Sequence, residues 1–205
     1  MPINVTLLFS REQYLAAAEA YLRGIERRIE AGLNPIVRSV ASLFISRWDV
    51  AVADKVPDRL RDQLGIAIAK RTYKSSSALI GSQRWRRIYN FGAGPQRLLW
   101  ASTGTKDPKA SDVLYVKALA APFTVNTMPE VTLQALSTHN EIGELLPVDG
   151  GDCEDVLSEF ARQRVDVNAL ATQLQDEGAA SFAKSWNDLL AVISSRCASP
   201  SRSAA

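Results

Sequence analysis

Short polar side chains recur at alternate positions in two apolar segments, and an arginine follows the second segment. Asn4 and Thr6 lie two residues apart, as do Ser42 and Phe44. In a strand this spacing puts both members of a pair on one face, where polar groups need partners. Arg47 comes just after the second pair, and its guanidinium group can donate two parallel hydrogen bonds to a phosphate. These residues are therefore candidate binding groups, with Arg47 as the candidate phosphate ligand.

The same residues also have an ordinary structural explanation. Strand ends tolerate short polar side chains without any ligand, and an arginine near the start of a helix is usually a solvated side chain. From the residues alone this ordinary explanation is the more frequent one, although Arg47 does follow a strand candidate in the loop before a helix. Such loops carry the active site in a (β/α) barrel.

The strand candidates are four short apolar segments bounded by loop residues: Ile3 to Phe9, Ser39 to Ile45, Arg97 to Ser102 and Phe123 to Met128. Longer stretches with helical periodicity separate them, which predicts parallel βα units. A closed barrel of this kind needs eight strands and about 250 residues. The predicted fold is therefore α/β, a partial (β/α)8 TIM barrel of about four βα units with additional C-terminal helices. A first strand that begins at residue 3 is also what we would expect at a fragment boundary.

Four helical regions have distinct sequence signals. Ser10 and Gln13 have the spacing of a capping box and start the first helix, which Gly32 ends. A second helix is predicted from Asp58 to Ile80, and Pro129 suits the first turn of another. The last helix carries an apolar stripe that suits docking on the outside of a barrel: Phe182, Trp186, Leu189 and Ile193. We expect residues 1–195 to form one barrel domain and 196–205 to be a disordered tail.

Composition excludes several classes of protein. The chain has 205 residues and a formal net charge of +2, which is too small to favour nucleic acid or an anionic membrane as partner. No apolar run approaches the roughly 20 residues of a membrane span, and no signal-peptide pattern follows Met1. Cys153 and Cys197 lie far apart without the spacing of a metal site. We expect a cytoplasmic protein without a metal or cofactor.

Four stretches resemble, in order, the second half of the transaldolase family. They are INVTLLFS, SVASLFISRWD, QRLLWASTGTKDP and TVNTMPEVTL, starting at Ile3, Ser39, Gln96 and Thr124. The segment ASTGTKDP and the long helical inserts most resemble sequences of the bacterial branch that includes transaldolases fused to glucose-6-phosphate isomerase. The resemblance implies that the chain is the C-terminal half of the barrel.

The resemblance also implies an activity: a dihydroxyacetone unit is transferred from a ketose phosphate, such as sedoheptulose 7-phosphate or fructose 6-phosphate, to an aldose phosphate. In the family a strand-borne lysine forms a Schiff base, and acids on two other strands move protons. All three positions would precede Met1, so the isolated chain is expected to be inactive. No lysine of the chain falls in a strand candidate, where desolvation would lower its pKa.

Individual roles follow from the resemblance. It implies that Asn4 and Ser42 bind substrate hydroxyls, that Thr6 positions the catalytic water, that Phe44 shapes the pocket wall, and that Arg47 and Ser102 hold the phosphate. Many relatives place a second phosphate-binding arginine where this chain has Gly104. Lys106 or the amides of the STGT loop are the candidate replacements, and Lys106 is equally well explained as a surface lysine.

Two alternatives stay open from the sequence. One is a fructose-6-phosphate aldolase that cleaves without transfer, although the extra helices argue against this compact relative. The other is a non-catalytic half-barrel that binds a sugar phosphate or acts as an assembly partner. Open strand edges would then favour a homo-oligomer or pairing with a missing N-terminal half-barrel.

Overall fold

A computed structural model describes residues 2–139 and 141–198 of the chain. Its centre is a parallel sheet of four strands in the order β1-β2-β3-β4. The strands are β1 (Ile3–Leu8), β2 (Ser39–Phe44), β3 (Gln96–Ala101) and β4 (Thr124–Asn126). Helices separate consecutive strands, so the expected parallel βα units are confirmed. Each strand ends one or two residues before its predicted C-terminal limit.

Helix α1 (Arg11–Glu30) connects β1 to β2 and begins as the sequence predicts. The Ser10 hydroxyl accepts from the Gln13 amide, and the Gln13 side chain accepts from the Ser10 amide, which completes the capping box. Gly32 takes the left-handed conformation with φ of +66° just after the helix. The strand and helix are thus joined by a short, fixed turn at the C-terminal end of β1.

The segment between β2 and β3 differs from prediction. It contains α2 (Ser46–Val52), a 3-10 turn (Asp58–Leu60), α3 (Leu64–Gly81) and α4 (Gln83–Asn90). A single helix from Asp58 to Ile80 was therefore wrong, because Asp62 has a left-handed φ of +57° that interrupts the helix. Helix α3 starts afresh at Leu64, whose amide donates to the Asp49 side chain at 2.9 Å.

The sheet core is continuous through β2 and β3, as expected for strands covered on both faces. In β2, Ala41 and Leu43 are fully buried, and Trp100 of β3 is buried with its indole N–H donating to the Leu119 carbonyl at 2.9 Å. Ser42 and Phe44, on the opposite face from Leu43, are also buried. The C-terminal ends of the two central strands are therefore held rigidly.

The segment after β3 contains α5 (Leu114–Ala118), β4, α6 (Glu130–His139) and α7 (Cys153–Arg162). Pro129 immediately precedes α6, as predicted. Trp85 of α4 is buried, and Arg84 beside it pairs with Glu19 and Glu26 of α1. These contacts pack α4 against α1.

Helix α8 (Val167–Ala198) corrects a second prediction. Phe182, Trp186, Leu189 and Ile193 do not dock on the described part of the chain, since their exposed fractions are 53%, 61%, 50% and 49%. At 1.5 Å per residue a helix of 32 residues is about 48 Å long, so it is much longer than a six-residue strand of the sheet, which spans about 20 Å. The first half of the helix packs on the sheet, through Leu170, Ala171, Leu174 and the buried Gly178.

Residues 199–205 of the expected tail lie outside the described residues, and α8 runs to Ala198. None of the helices in the described ranges combines the length and the hydrophobicity that a membrane span requires. The observed architecture is an α/β fold with one parallel sheet and surrounding helices.

Candidate functional site

Most of the candidate residues lie on β1, β2 and β3 or in the turns that follow β2 and β3. Asn4 is the second residue of β1, whereas Phe44, Arg47 and Ser102 lie at or just after the C-terminal ends of their strands. Between β1 and β2, the Ser42 hydroxyl donates to the Asn4 side-chain oxygen at 2.7 Å. Ser42 is buried while Asn4 is exposed. The bond therefore fixes the Asn4 amide and leaves its NH2 group directed to solvent as a donor for a ligand.

Thr6 lies next to a β-bulge in β1, which the alternating sequence pattern does not predict. The register between β1 and β2 changes from Val5 opposite Ala41 to Leu8 opposite Leu43, so one extra residue is accommodated in β1. Leu7 adopts a left-handed φ of +59° at this bulge. Leu8 consequently turns into the core, and Thr6 is the last polar residue of β1 on the exposed side.

Arg47 stands in the first turn of α2 and packs on a neighbouring candidate residue. Its guanidinium carbon lies 5.0 Å from the centre of the Phe44 ring, a cation–π arrangement. Arg47 is half-buried. The described residues place no carboxylate within salt-bridge distance of it, which leaves its donors available for an anion.

Ser102 joins the end of β3 to the start of α2. Its hydroxyl lies 2.8 Å from the Ser46 hydroxyl, and its carbonyl accepts from the Ser46 amide at 3.0 Å. Ser102 itself has a left-handed φ of +57°. Ser46 was not a candidate from the sequence; its position one residue before Arg47 is the signal that could have identified it.

The loop after Ser102 is anchored on β4. The Thr103 hydroxyl donates to the Asn126 side chain at 2.8 Å, and Gly104 lies against the ring of Pro129. A Cβ at position 104 would sit 3.0 Å from the Pro129 Cγ. The ring of Pro129 fills the space that a side chain at position 104 would need, so an arginine is not accommodated there.

Lys106 is exposed and lines a cleft of about 420 Å3 with Ser46, Asp49 and Asp107 among its walls. Its role as a second phosphate ligand stays a prediction that no contact supports.

Asp49 is a buried carboxyl group that the sequence analysis did not single out, although it ends the stretch SVASLFISRWD. It accepts from the amides of Leu64 and Gly65 at 2.9 and 3.2 Å and from the Tyr115 hydroxyl at 2.8 Å. Burial raises the pKa of Asp49 to about 7, and these hydrogen bonds offset only part of the effect. Asp49 thus ties α2, which carries Arg47, to the start of α3 and to α5.

The arrangement can bind a polar ligand that bears an anionic group. The hydrogen-bonded pair of Asn4 and Ser42 lies on β1 and β2, and the cation Arg47 follows β2 in the first turn of α2. Within the described residues, no lysine lies on a strand and none is buried, so the chain shows no desolvated amine.

Comparisons with known proteins agree with this architecture. A family model described as Transaldolase/Fructose-6-phosphate aldolase matches residues 1–193. A transaldolase from Parafrankia sp. (strain EAN1pec) is 40% identical over 200 aligned residues, covering 93% of this chain and 54% of the relative. One from Neisseria meningitidis serogroup C is 40% identical, covering 93% and 55%, and one from Mycolicibacterium paratuberculosis is 41% identical, covering 92% and 53%. The chain spans about half the length of these relatives, and with its parallel βα architecture it belongs to the transaldolase/fructose-6-phosphate aldolase family.

Proposed function

We propose that the protein to which this chain belongs is a transaldolase of the non-oxidative pentose phosphate pathway. The observation that carries the proposal is the placement of Phe44 and Arg47 at the C-terminal end of β2, beside Ser102 at the end of β3, with Ser42 on the same strand bonded to Asn4 of β1. This edge is where a (β/α) barrel binds its substrate. The names of the relatives support the same reaction class.

In the proposed reaction, Asn4 and Ser42 bind hydroxyl groups of the dihydroxyacetone unit, and Phe44 forms the pocket wall. Arg47 and Ser102 hold the terminal phosphate, and Thr6 positions the water that protonates or hydrolyses intermediates. A permanently charged planar guanidinium suits a phosphate better than an ammonium does. Lys106, which is exposed and lines a cleft together with Ser46, is kept as a further phosphate candidate.

The Schiff-base lysine is proposed to lie in polypeptide outside this chain. Every lysine in the chain is on a helix or a loop, and Lys70 and Lys184 are paired with Asp152 and Asp188. We therefore propose that the chain is the C-terminal half of a (β/α)8 barrel in the cytoplasm, from the branch that includes fusions to glucose-6-phosphate isomerase. The isolated chain should then be inactive.

Borohydride trapping tests this proposal. The complete gene product should form a reduced covalent adduct with fructose 6-phosphate, and the 205-residue chain alone should form none. Turnover should require an aldose phosphate acceptor. Cleavage of fructose 6-phosphate without any acceptor would instead identify an aldolase, the alternative that the family description also includes.

A second candidate is a non-catalytic half-barrel that binds a sugar phosphate or assembles with another chain. Among the described strands, β1 and β4 each pair on one side only, and unpaired edges favour association. The partner would be a second copy or a missing N-terminal half-barrel. Size-exclusion chromatography with light scattering measures whether the chain associates, and a binding titration measures whether it binds a sugar phosphate. A compact monomer that binds no sugar phosphate contradicts this second candidate.

A further inference from the structure

The bulge at Leu7 is held from outside the sheet by two glutamines. The Gln175 side-chain amide of α8 donates to the Leu7 carbonyl at 2.9 Å. Gln13 of α1 donates to the Gln175 side-chain oxygen at 3.2 Å. The Gln13 oxygen in turn accepts from the Phe9 amide at 2.7 Å. The two side chains thus fix the backbone on both sides of Leu8.

This bulge needs such support. A left-handed conformation costs a residue with a Cβ roughly 1–2 kcal/mol, and leucine has no polar side chain to offset it locally. A bulge also disrupts the ladder around the extra residue. The bond from Gln175 gives the Leu7 carbonyl a partner that the ladder with β2 does not supply at this position.

Gly178 brings α8 close enough for this contact. It lies one turn after Gln175, on the same face of the helix, and is buried. A Cβ on Gly178 would be 2.9 Å from Leu7 Cδ2 and 3.3 Å from Arg47 Nη1. The first half of α8 therefore lies directly against the bulge and beside the guanidinium group of Arg47.

We propose that Gln175 is a positioning residue: through the Leu7 carbonyl it holds the bulge that ends the polar face of β1 at Thr6, and so sets where the Thr6 hydroxyl points. The inference rests on the proposed function only for the role of Thr6. The conformational part concerns the bulge and stands independently of any activity.

The conformational test compares Gln175→Met with Gln173→Met in the 205-residue chain. Methionine keeps the length of glutamine and removes the donor. Gln173 is an exposed residue of the same helix, so its variant reports any general effect of the substitution. We expect Gln175→Met to shift the amide resonances of Leu7 and Leu8 and to change the three-bond coupling that reports Leu7 φ. Gln173→Met should leave these signals unchanged. A left-handed Leu7 that persists in Gln175→Met overturns the proposal.

Gln13→Glu provides a milder second variant in case Gln175→Met does not fold. A carboxylate at position 13 still accepts from the Phe9 and Ser10 amides, and it loses the donor to Gln175. We expect the same resonances to shift by a smaller amount. Unchanged signals in this variant contradict the link from α1 through Gln175 to Leu7.

The kinetic test uses the complete gene product with fructose 6-phosphate and an acceptor. Displacing a group by about 1 Å can cost up to roughly 100-fold in rate, so we expect Gln175→Met to lower kcat by about 10- to 100-fold with little change in KM. In a Thr6→Ala background, Gln175→Met should have almost no further effect. An equal loss in both backgrounds overturns positioning through Thr6. If Thr6→Ala alone has no effect, the proposed role of Thr6 fails, and the resonances of Leu7 still decide whether Gln175 holds the bulge.

Discussion

The Ser42 hydroxyl donates a 2.7 Å hydrogen bond to the Asn4 side-chain oxygen across the first two strands. An amide oxygen can accept two hydrogen bonds, so Asn4 keeps one acceptor site on its oxygen and its NH2 donors for a ligand. The buried serine therefore orients the exposed asparagine, which can then bind a sugar hydroxyl.

Ser42→Ala should weaken ligand binding through Asn4. We expect the affinity for fructose 6-phosphate to fall about fivefold, since a net hydrogen bond is worth about 1 kcal/mol. Isothermal titration calorimetry on the complete gene product measures this affinity. Ser158→Ala, on the exposed surface of α7, is the matched control. Equal affinities for the Ser42 variant and the unsubstituted protein would mean that Asn4 does not face the ligand.

Arg47→Lys should lower the affinity for the phosphorylated sugar by about 10-fold while the charge is kept. The reason is that an ammonium cannot reproduce the parallel hydrogen bonds of the guanidinium group, each worth about 1.5–3 kcal/mol when charged. The measurement compares fructose 6-phosphate with fructose, and only the former should be affected. Arg23→Lys, at an exposed position on α1, is the control. A similar loss with both sugars would contradict a phosphate contact.

Asp49 should make the free energy of unfolding depend on pH. Its pKa is about 7 in the folded chain, above the ordinary value of 3.8, so the folded state holds a proton that the unfolded state has released. The stabilisation from this group is complete below pH of about 4 and is lost as pH rises towards 7, by up to about 1.4 kcal/mol per pH unit.

The test of Asp49 is the variant Asp49→Asn, which retains an acceptor for the Leu64 and Gly65 amides. Denaturant unfolding across pH 4 to 8 should show a flatter profile for this variant than for the unsubstituted chain. Asp188→Asn, at an exposed position of α8, is the control. Parallel profiles for the Asp49 variant and the unsubstituted chain would place the pKa of Asp49 near its ordinary value.

Gly104→Ala should destabilise the chain by about 1–3 kcal/mol, because the new methyl group meets the ring of Pro129 in a packed loop. Gly24→Ala in α1 is the matched control, since no heavy atom lies within 4 Å of its added Cβ. That control should instead stabilise the helix by up to about 1 kcal/mol. Thermal unfolding monitored by circular dichroism measures both, and a neutral Gly104 variant would show that Pro129 moves aside freely.

Much of the local structure was predictable because it depends on neighbours in the sequence. The capping box of Ser10 and Gln13, the left-handed Gly32 and the four strand positions follow from spacing and residue type. The long helix from Asp58 was not predictable in the same way. Its interruption at Asp62 coincides with the Asp49 carboxylate binding the amides of Leu64 and Gly65 from an earlier helix.

For the candidate site, the sequence determined which residues alternate along β1 and β2 and that a guanidinium group follows them, since these are properties of order and period. Only the tertiary structure decided that Ser42 orients Asn4, that Ser46 joins Ser102, and that Lys106 lines a cleft with Ser46 and Asp49. It also decided that alternation stops at Leu7, where Gln175 arrives from far along the chain. A hydrogen bond or a bulge held by distant partners leaves no periodic trace, because its energy depends on how the helices pack against the strands.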